Sequence, residues 1–402
     1  MDNSAASPPW ADLPSDAVSE IAGRLHEPGD FVRFHAVCRP WRKAPPPPHQ
    51  TPGSFLPCLL EHTIFDYTDN LSLYSPFSRK RTGLHTRTSI LAGKKLKGSD
   101  AAGGRFLAIA VNRQPVLVNP LTGAVTALPP LSKDMFPSYT YRWQCSKDGV
   151  VMFYSSWSRA VVLLRPGENC WQEIDVEASL DNMGLNSAQD LDQHTRRAIA
   201  LLCSSGGVPT LTRAMAQLPR AAPGTSRYVL ESLHGELLLC LDVLDLQKAK
   251  SPDLISVTVH ALEVRNNDGT PQWVKQGRGG GIDDGHACLF LSKDGSGFAI
   301  DVREFGGADE VTGGCAYFVD NHPTQTMRDA VWRYNFRDGT ATVVDELPAG
   351  FGITCMWYKP RRPIISALSS RPNNKRGNDG SSQSPVRSRP RLQPLVHSQC
   401  AQ

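Results

Sequence analysis

One pattern returns along this chain and limits what it can fold into: an apolar strand, a tight polar turn with glycine, and a second strand. It occurs as LSLYSPFSRKRTGLHTR from 71, VLVNPLTGAVTALPP from 116, AVVLLRPGENCWQEI from 160, VHALEVRNNDGTPQWVK from 259 and AVWRYNFRDGTATVVDELP from 330. The glycines expected at the turns are Gly83, Gly123, Gly167, Gly269 and Gly339, at intervals of 40, 44, 102 and 70 residues. The first two intervals fit a single repeat of about 40–50 residues, the third is close to two, and the last is one repeat with an insertion. Further strands are expected between the hairpins, at Gly104–Ala110, Gly149–Tyr154, Gly235–Leu241, Ala287–Leu291, Phe298–Val302, Cys315–Val319 and Ile353–Tyr358. Each repeat then supplies a small antiparallel sheet. Such sheets cannot bury both faces alone, so they stack around an axis as blades. A β-sandwich is the competing architecture, and the regular spacing favours the propeller. The expected fold is mainly β: a β-propeller of antiparallel blades over 55–360, with an irregular stretch at 177–226 where clean alternation is lost.

Composition narrows the setting. The chain has 402 residues, of which 33 are Gly and 31 Pro, which favours turns over long helices. The net charge of +4 divides unevenly. From Arg361 onward the chain carries +7, so the remainder is mildly acidic at −3. A body without a basic face is not expected to bind nucleic acid. No stretch approaches the roughly 18 apolar residues of a membrane span, and no basic and apolar leader opens the chain, so no membrane association is expected. No C-x-x-C pair occurs. Cys38, Cys145, Cys240, Cys288, Cys315 and Cys355 sit in apolar runs and read as buried thiols rather than a disulfide or zinc framework. The expected location is cytoplasmic or nuclear. The 361–402 tail, rich in Ser, Arg, Pro, Asn and Gln, is expected to be disordered, and residues 1–9 likewise. Its Lys375-Arg376 and Arg387–Arg391 clusters fit a nuclear signal or a plain solvated tail equally well.

Residues 10–44, WADLPSDAVSEIAGRLHEPGDFVRFHAVCRPWRKA, depart from the strand pattern. Leu13, Val18, Ile21 and Leu25 recur at helical spacing after an Asp12 cap and Pro14 in the first turn. Pro28-Gly29 is expected to end that helix. Asp30 would cap a second with Phe31, Phe34, Val37 and Cys38, and Pro40 would open a third with Trp41. Three short helices cannot hide this many large side chains among themselves, and each one left in water forgoes roughly 1.5–3 kcal/mol. The surplus must meet another surface. A Pro45–Pro48 run follows within the 45–54 linker, and a stiff extended spacer is expected to hold the helices away from the body.

The pattern L-P-x-D…I…R-L…D-F-x-R-F…V-C-x-x-W-R resembles the F-box over about 35 residues. It is carried here by Leu13, Pro14, Asp16, Ile21, Arg24, Leu25, Asp30, Phe31, Arg33, Phe34, Val37, Cys38, Trp41 and Arg42. Ala17 stands where a larger aliphatic is usual, and Pro45 cuts the third helix short. The resemblance implies docking on the small adaptor that links to a cullin in SCF-type ubiquitin ligases. Leu13, Pro14, Val18, Ile21, Leu25, Phe34, Val37 and Trp41 would divide between that interface and the motif's own core.

The body is similar to the KIB-type β-propeller family of plants, also called domain of unknown function 295. The residues that carry the resemblance are Asn119–Gly123 followed by Leu128-Pro129-Pro130, Tyr228–Cys240, Gly285–Gly307 and the GCAYFVD block ending at Asp320. An N-terminal F-box is common in that family. Together the two resemblances imply a substrate-recognition subunit that binds a target protein through the propeller and performs no catalysis itself. A propeller binding module acting outside any ligase is the alternative.

Searches for chemistry return little. The run Gly277–Gly281 lacks the last glycine of G-x-G-x-x-G and is not followed by a helix. Gly93-Lys94 lacks both the earlier glycine and the Ser/Thr of a phosphate loop, and His26-Glu27 lacks a second zincin histidine. Asp283, Asp284 and His286 on a Gly-rich loop read as a solvated turn. No G-x-S-x-G elbow occurs. No catalytic, cofactor-binding or metal-binding residue is therefore assigned, and no cofactor is expected. Trp143, Trp157, Trp171, Trp273, Trp332 and Trp357 are expected to pack blades or to line a binding face.

Overall fold

The computed structural model describes residues 10–43 except 26, 55–61, 70–85, 94–99, 104–110, 114–121, 124–132, 141–145, 149–155, 160–175, 226–234, 237–243, 255–264, 271–276, 285–292, 296–305, 310–321, 329–348, 351 and 355–361. The 177–225 part of the irregular stretch, the linker prolines and the basic tail beyond 361 lie outside the described residues.

A 3₁₀ turn at Trp10–Asp12 leads into α1 (Ser15–Gly23), α2 (Pro28–Ala36) and α3 (Arg39–Lys43). Two helix boundaries differ from expectation. Pro14, not Asp12, is the N-cap residue of α1, and its side chain has no donor or acceptor to offer. Pro28 opens α2 rather than ending α1, because its fixed φ suits a first helical position where no N–H is needed. Asp30 accordingly lies inside the first turn of α2.

The rest of the described chain is mainly strand joined by turns. Chain order runs β1 (Cys58–Glu61), β2 (Asn70–Ser75), β3 (Lys80–His85), β4 (Lys94–Ser99), β5 (Phe106–Ala110), β6 (Pro115–Val118), β7 (Val125–Ala127), β8 (Tyr141–Cys145), β9 (Val151–Ser155), β10 (Ala160–Leu164) and β11 (Gln172–Asp175). It continues with β12 (Ser226–Glu231), β13 (Leu237–Val243), β14 (Ser256–Val264), β15 (Pro271–Lys275), β16 (Ala287–Leu291), β17 (Gly297–Asp301), β18 (Cys315–Asn321), β19 (Asp329–Asn335), β20 (Ala341–Glu346) and β21 (Met356–Tyr358). These form five sheets among the described residues: β21-β1-β2-β3, β4-β5-β6-β7, β8-β9-β10-β11, β12-β13-β14-β15 and β17-β16-β18-β19-β20. The five repeated hairpins are β2–β3, β6–β7, β10–β11, β14–β15 and β19–β20, and each is the terminal pair of its own sheet. The sequence repeat is thus the end of each sheet. The last strand, β21, joins the first sheet beside β1.

Alternation along single strands shows how the sheets stack. In β5, Phe106 and Ala108 face a core shared with Leu60, Leu73 and Tyr358 of the first sheet. The intervening Leu107 and Ile109 face a core shared with Trp143, Phe153 and Val162 of the third. In the fifth sheet, Phe290, Tyr317 and Val331 meet Leu59 and Trp357 of the first. Leu289, Phe318 and Trp332 meet Tyr228, Val257 and Val259 of the fourth. A sandwich sheet spends one face on its single partner. Here the first, second and fifth sheets each bury both faces against two different neighbours, as blades do.

Two details correct the sequence reading. Gly83 is not a turn residue: it lies inside β3 opposite Ser72, and the turn is made by residues 76–79, with Arg79 at φ 56. Gly167 and Gly339 do occupy turns at φ 86 and 73, while Gly123 and Gly269 lie outside the described residues. The fifth sheet is also not purely antiparallel, since β16 and β18 run parallel. The chain leaves β17 through a 3₁₀ turn at Val302–Phe305 and returns to the end where β16 began. The Gly314 N–H donates to the Ala287 carbonyl at 2.7 Å there. A Cβ on Gly313 would lie 2.0 Å from the Gly285 carbonyl oxygen, so only glycine permits that return.

Candidate protein-interaction surface

The eight residues singled out in the helical segment separate into two groups. Val18 and Phe34 are buried and, with Ala22, form a small core against which Leu13, Leu25 and Trp41 are packed and partly covered. The Phe34 and Trp41 rings lie 4.5 Å apart. The Trp41 indole N–H donates to the Trp10 carbonyl at 2.8 Å, which ties the entry turn to α3. Pro14, Ile21 and Val37 face solvent, Ile21 at 40% and Val37 at 59% exposure. Ile21 is one step round the helix from buried Ala22, so it lies at the edge of the covered face.

Two further residues were missed by the pattern. Trp10 is 57% exposed and Val32 is 37% exposed. Trp10 precedes the motif, and only its type, a large aromatic before a helix, could have drawn notice. Among the described residues, large hydrophobic side chains are exposed at Trp10, Ile21, Val32, Val37, Val125 and Val343, so the helices hold most of them. The charges beside them are largely neutralised locally: Arg24 pairs with Glu20 at 2.9 Å and Arg33 with Asp30 at 2.8 Å.

The expectation that the proline run keeps the helices clear of the body does not hold for α2. Phe31 is buried, its ring 5.1 Å from that of Phe55. The Ser75 hydroxyl donates to Glu27 at 2.9 Å, and Lys80 pairs with Asp30 at 3.2 Å. The reason is geometric: the ten residues of the 45–54 linker can span up to about 33–36 Å, so the proline run does not by itself keep Phe31 from burial against the body. The body meets Phe31 through Phe55, while Leu13, Leu25 and Trp41 are partly covered by the helices' own core.

The β2–β3 turn that receives α2 is itself seated on the fifth sheet. The Phe77 ring lies 5.6 Å from Tyr317 and 6.4 Å from Phe290 of that sheet. Arg79 pairs with buried Asp345 at 3.3 Å, and the Tyr74 hydroxyl donates to the same carboxylate. Burial first, and then this hydrogen bond to Asp345, pushes the Tyr74 hydroxyl well above its ordinary value.

Elsewhere the body offers packing. Burial raises the Cys288 thiol and brings Cys315 to about 11, so both stay protonated and act as small apolar residues. Cys145 and Cys355 are also buried, and Cys38 is half-buried. Trp143, Trp332 and Trp357 are buried in inter-sheet cores, and Trp171 and Trp273 are half-buried. His286 is exposed; Asp283, Asp284, the glycine run at 277–281, Gly93, His26 and Trp157 lie outside the described residues. Among the described residues no group of three His, Cys, Asp or Glu side chains could hold a metal, and no helix is long and apolar enough to cross a membrane.

A stack of small sheets, each ended by the same hairpin, defines the class as β-propeller. The sequence model of the KIB1-4 beta-propeller matches residues 73–339, and the chain belongs to that family. No curated protein matches the chain. Among solved structures it is similar to virginiamycin B lyase from Staphylococcus aureus, at 9% identity and a TM-score of 0.22 over 78% of each chain. It is also similar to a protein from Lactobacillus plantarum, at 12% identity and a TM-score of 0.22 over 74% of this chain and 69% of that one. Likenesses at that level carry no argument about this chain.

Proposed function

We propose that the chain is the substrate-recognition subunit of a cullin-RING ubiquitin ligase of the SCF type. In this reading residues 10–44 are an F-box whose exposed apolar side chains dock on the adaptor subunit and, through it, on a cullin. The propeller binds a target protein. The chain transfers nothing itself; it raises the effective concentration of the target at the transfer machinery, in the cytoplasm or nucleus. The observation that carries the reading is the division within the F-box-like segment. Val18, Ala22 and Phe34 satisfy its own core, and Ile21, Val37 and Trp10 are left facing water. A hydrophobic side chain held in solvent by an otherwise packed helix is what a docking anchor requires.

The seating of α2 on the body favours one rival, in which the helices merely cap the propeller of a binding module that works outside any ligase. Co-purification separates the two. The ligase reading expects adaptor and cullin, identified by mass spectrometry, to accompany the tagged wild-type chain and to be lost with Ile21→Asp. Absence of adaptor from the wild type supports the rival. Ile21 is a better probe than Trp41, because Trp41→Ala would disturb the helical core itself.

A further inference from the structure

We infer that the β2–β3 hairpin is a rigid joint that fixes the direction of the helices, and of their exposed apolar residues, relative to the propeller. Joined domains move relative to one another by default unless a built interface prevents it. Here the interface is built from both sides. On the helical side, Gly29 lies against Thr82: a Cβ at position 29 would sit 2.6 Å from Thr82 Cγ2, 2.7 Å from Oγ1 and 3.2 Å from Cβ. The backbone of α2 at Gly29 therefore lies directly on the Thr82 side chain of β3. Rotation of Thr82 gives little relief, since two of the three positions on its β-branched carbon hold heavy atoms. The Ser75–Glu27 and Lys80–Asp30 bonds flank this contact, and Phe31 closes it against Phe55.

On the propeller side the same hairpin is held by the fifth sheet. Phe77 packs against Tyr317 and Phe290, and Arg79 and Tyr74 both engage Asp345. Arg79 adopts φ 56 in the turn, a conformation uncommon for a residue with a side chain, and its ion pair to Asp345 spans the two sheets. Motion of the helices on the hairpin would break the first set of contacts. Motion of the hairpin on the body would break the second. The consequence for function rests on the ligase reading: the adaptor-facing residues and the target-binding propeller keep one relative orientation, so the place at which a target is presented is set within this chain.

Gly29 makes the inference testable by sign. In a freely tethered helix, Gly29→Ala stabilises α2, because alanine gives up less backbone freedom than glycine on entering a helix. In the joint it must push α2 off Thr82. Thr82→Ala removes the two nearest atoms and leaves only the contact at 3.2 Å. The test compares full chains carrying wild type, Gly29→Ala, Thr82→Ala and both changes, with dyes at the exposed positions Glu20 and Arg337 and amide exchange followed across α2. The joint predicts a single narrow distance distribution in wild type, at least about a twofold broadening in Gly29→Ala, and recovery in the double variant. It predicts exchange in α2 faster by about tenfold in Gly29→Ala and close to wild type in the double. Slower exchange in Gly29→Ala, a broad wild-type distribution, or no recovery in the double would overturn the joint. Titration of purified adaptor onto wild type keeps the two readings apart: a failure to bind removes the ligase reading, whereas the distance and exchange results judge the joint.

Discussion

The fifth sheet and the helical segment bury their apolar residues by opposite economies. In the sheet, Phe290, Tyr317, Phe318 and Trp332 are fully covered, and Phe290 stacks on Tyr317 at 5.0 Å. Its neighbours on both faces are other sheets of the same chain. The helices have no second layer of their own. They cover Val18, Ala22 and Phe34, lend Phe31 to the body, and leave Ile21, Val37 and Trp10 in water. Apolar residues in the sheet therefore serve stability, and those exposed on the helices are free to serve recognition. Substitutions in the two regions should fail in different assays.

The largest expected effect is in the sheet. Trp332→Ala removes a fully buried indole between the fourth and fifth sheets and should cost about 3–5 kcal/mol in chemical denaturation. Ile21→Asp should leave that denaturation curve within about 0.5 kcal/mol of wild type, yet weaken adaptor binding about thirtyfold, close to 2 kcal/mol, by calorimetry. A large stability loss with Ile21→Asp would erase the contrast.

The junction lies between these extremes. Tyr74→Phe leaves the buried Asp345 carboxylate without one of its donors and should cost about 1–3 kcal/mol. The same contact has a pH signature. The folded-state pKa of Tyr74 is raised above its ordinary 10, so its contribution is complete below about pH 10 and is lost as pH climbs through the folded value. Stability measured from pH 8 upward should fall on the alkaline side, and Tyr74→Phe should flatten that limb. The smallest effect belongs to Lys80→Ala, which removes a solvent-exposed ion pair to Asp30 and should change stability by less than about 1 kcal/mol.

The repeat was readable because each terminal hairpin joins an apolar strand to a second strand through a polar turn, and that order of residue types is visible without the fold. The strands from β5 to β21 that follow a glycine in sequence were found for the same reason, within a residue or three at their ends. The parallel β16–β18 pair was not readable, because parallel and antiparallel neighbours share one alternation and differ only in where the chain returns. Gly83 was misplaced since a glycine in a strand and a glycine in a turn look alike until the partner strand is known. In the helices, the motif named the residues but not their division. Val18 and Ile21 are both aliphatic and three apart, and only packing against Phe34 separates core from surface. The seating of α2 on Thr82 had no sequence signal beyond Gly29 itself, which fitted a helix terminator equally well.

The most direct test is a calorimetric titration of the purified full-length chain with the purified adaptor subunit, run beside Ile21→Asp and Val37→Asp. Saturable one-to-one binding by wild type, weakened about thirtyfold in Ile21→Asp and weakened likewise in Val37→Asp while their melting curves coincide with it, is the predicted result. Equal heats from all three proteins, or none from wild type, would contradict the assignment of this helical face to ligase assembly.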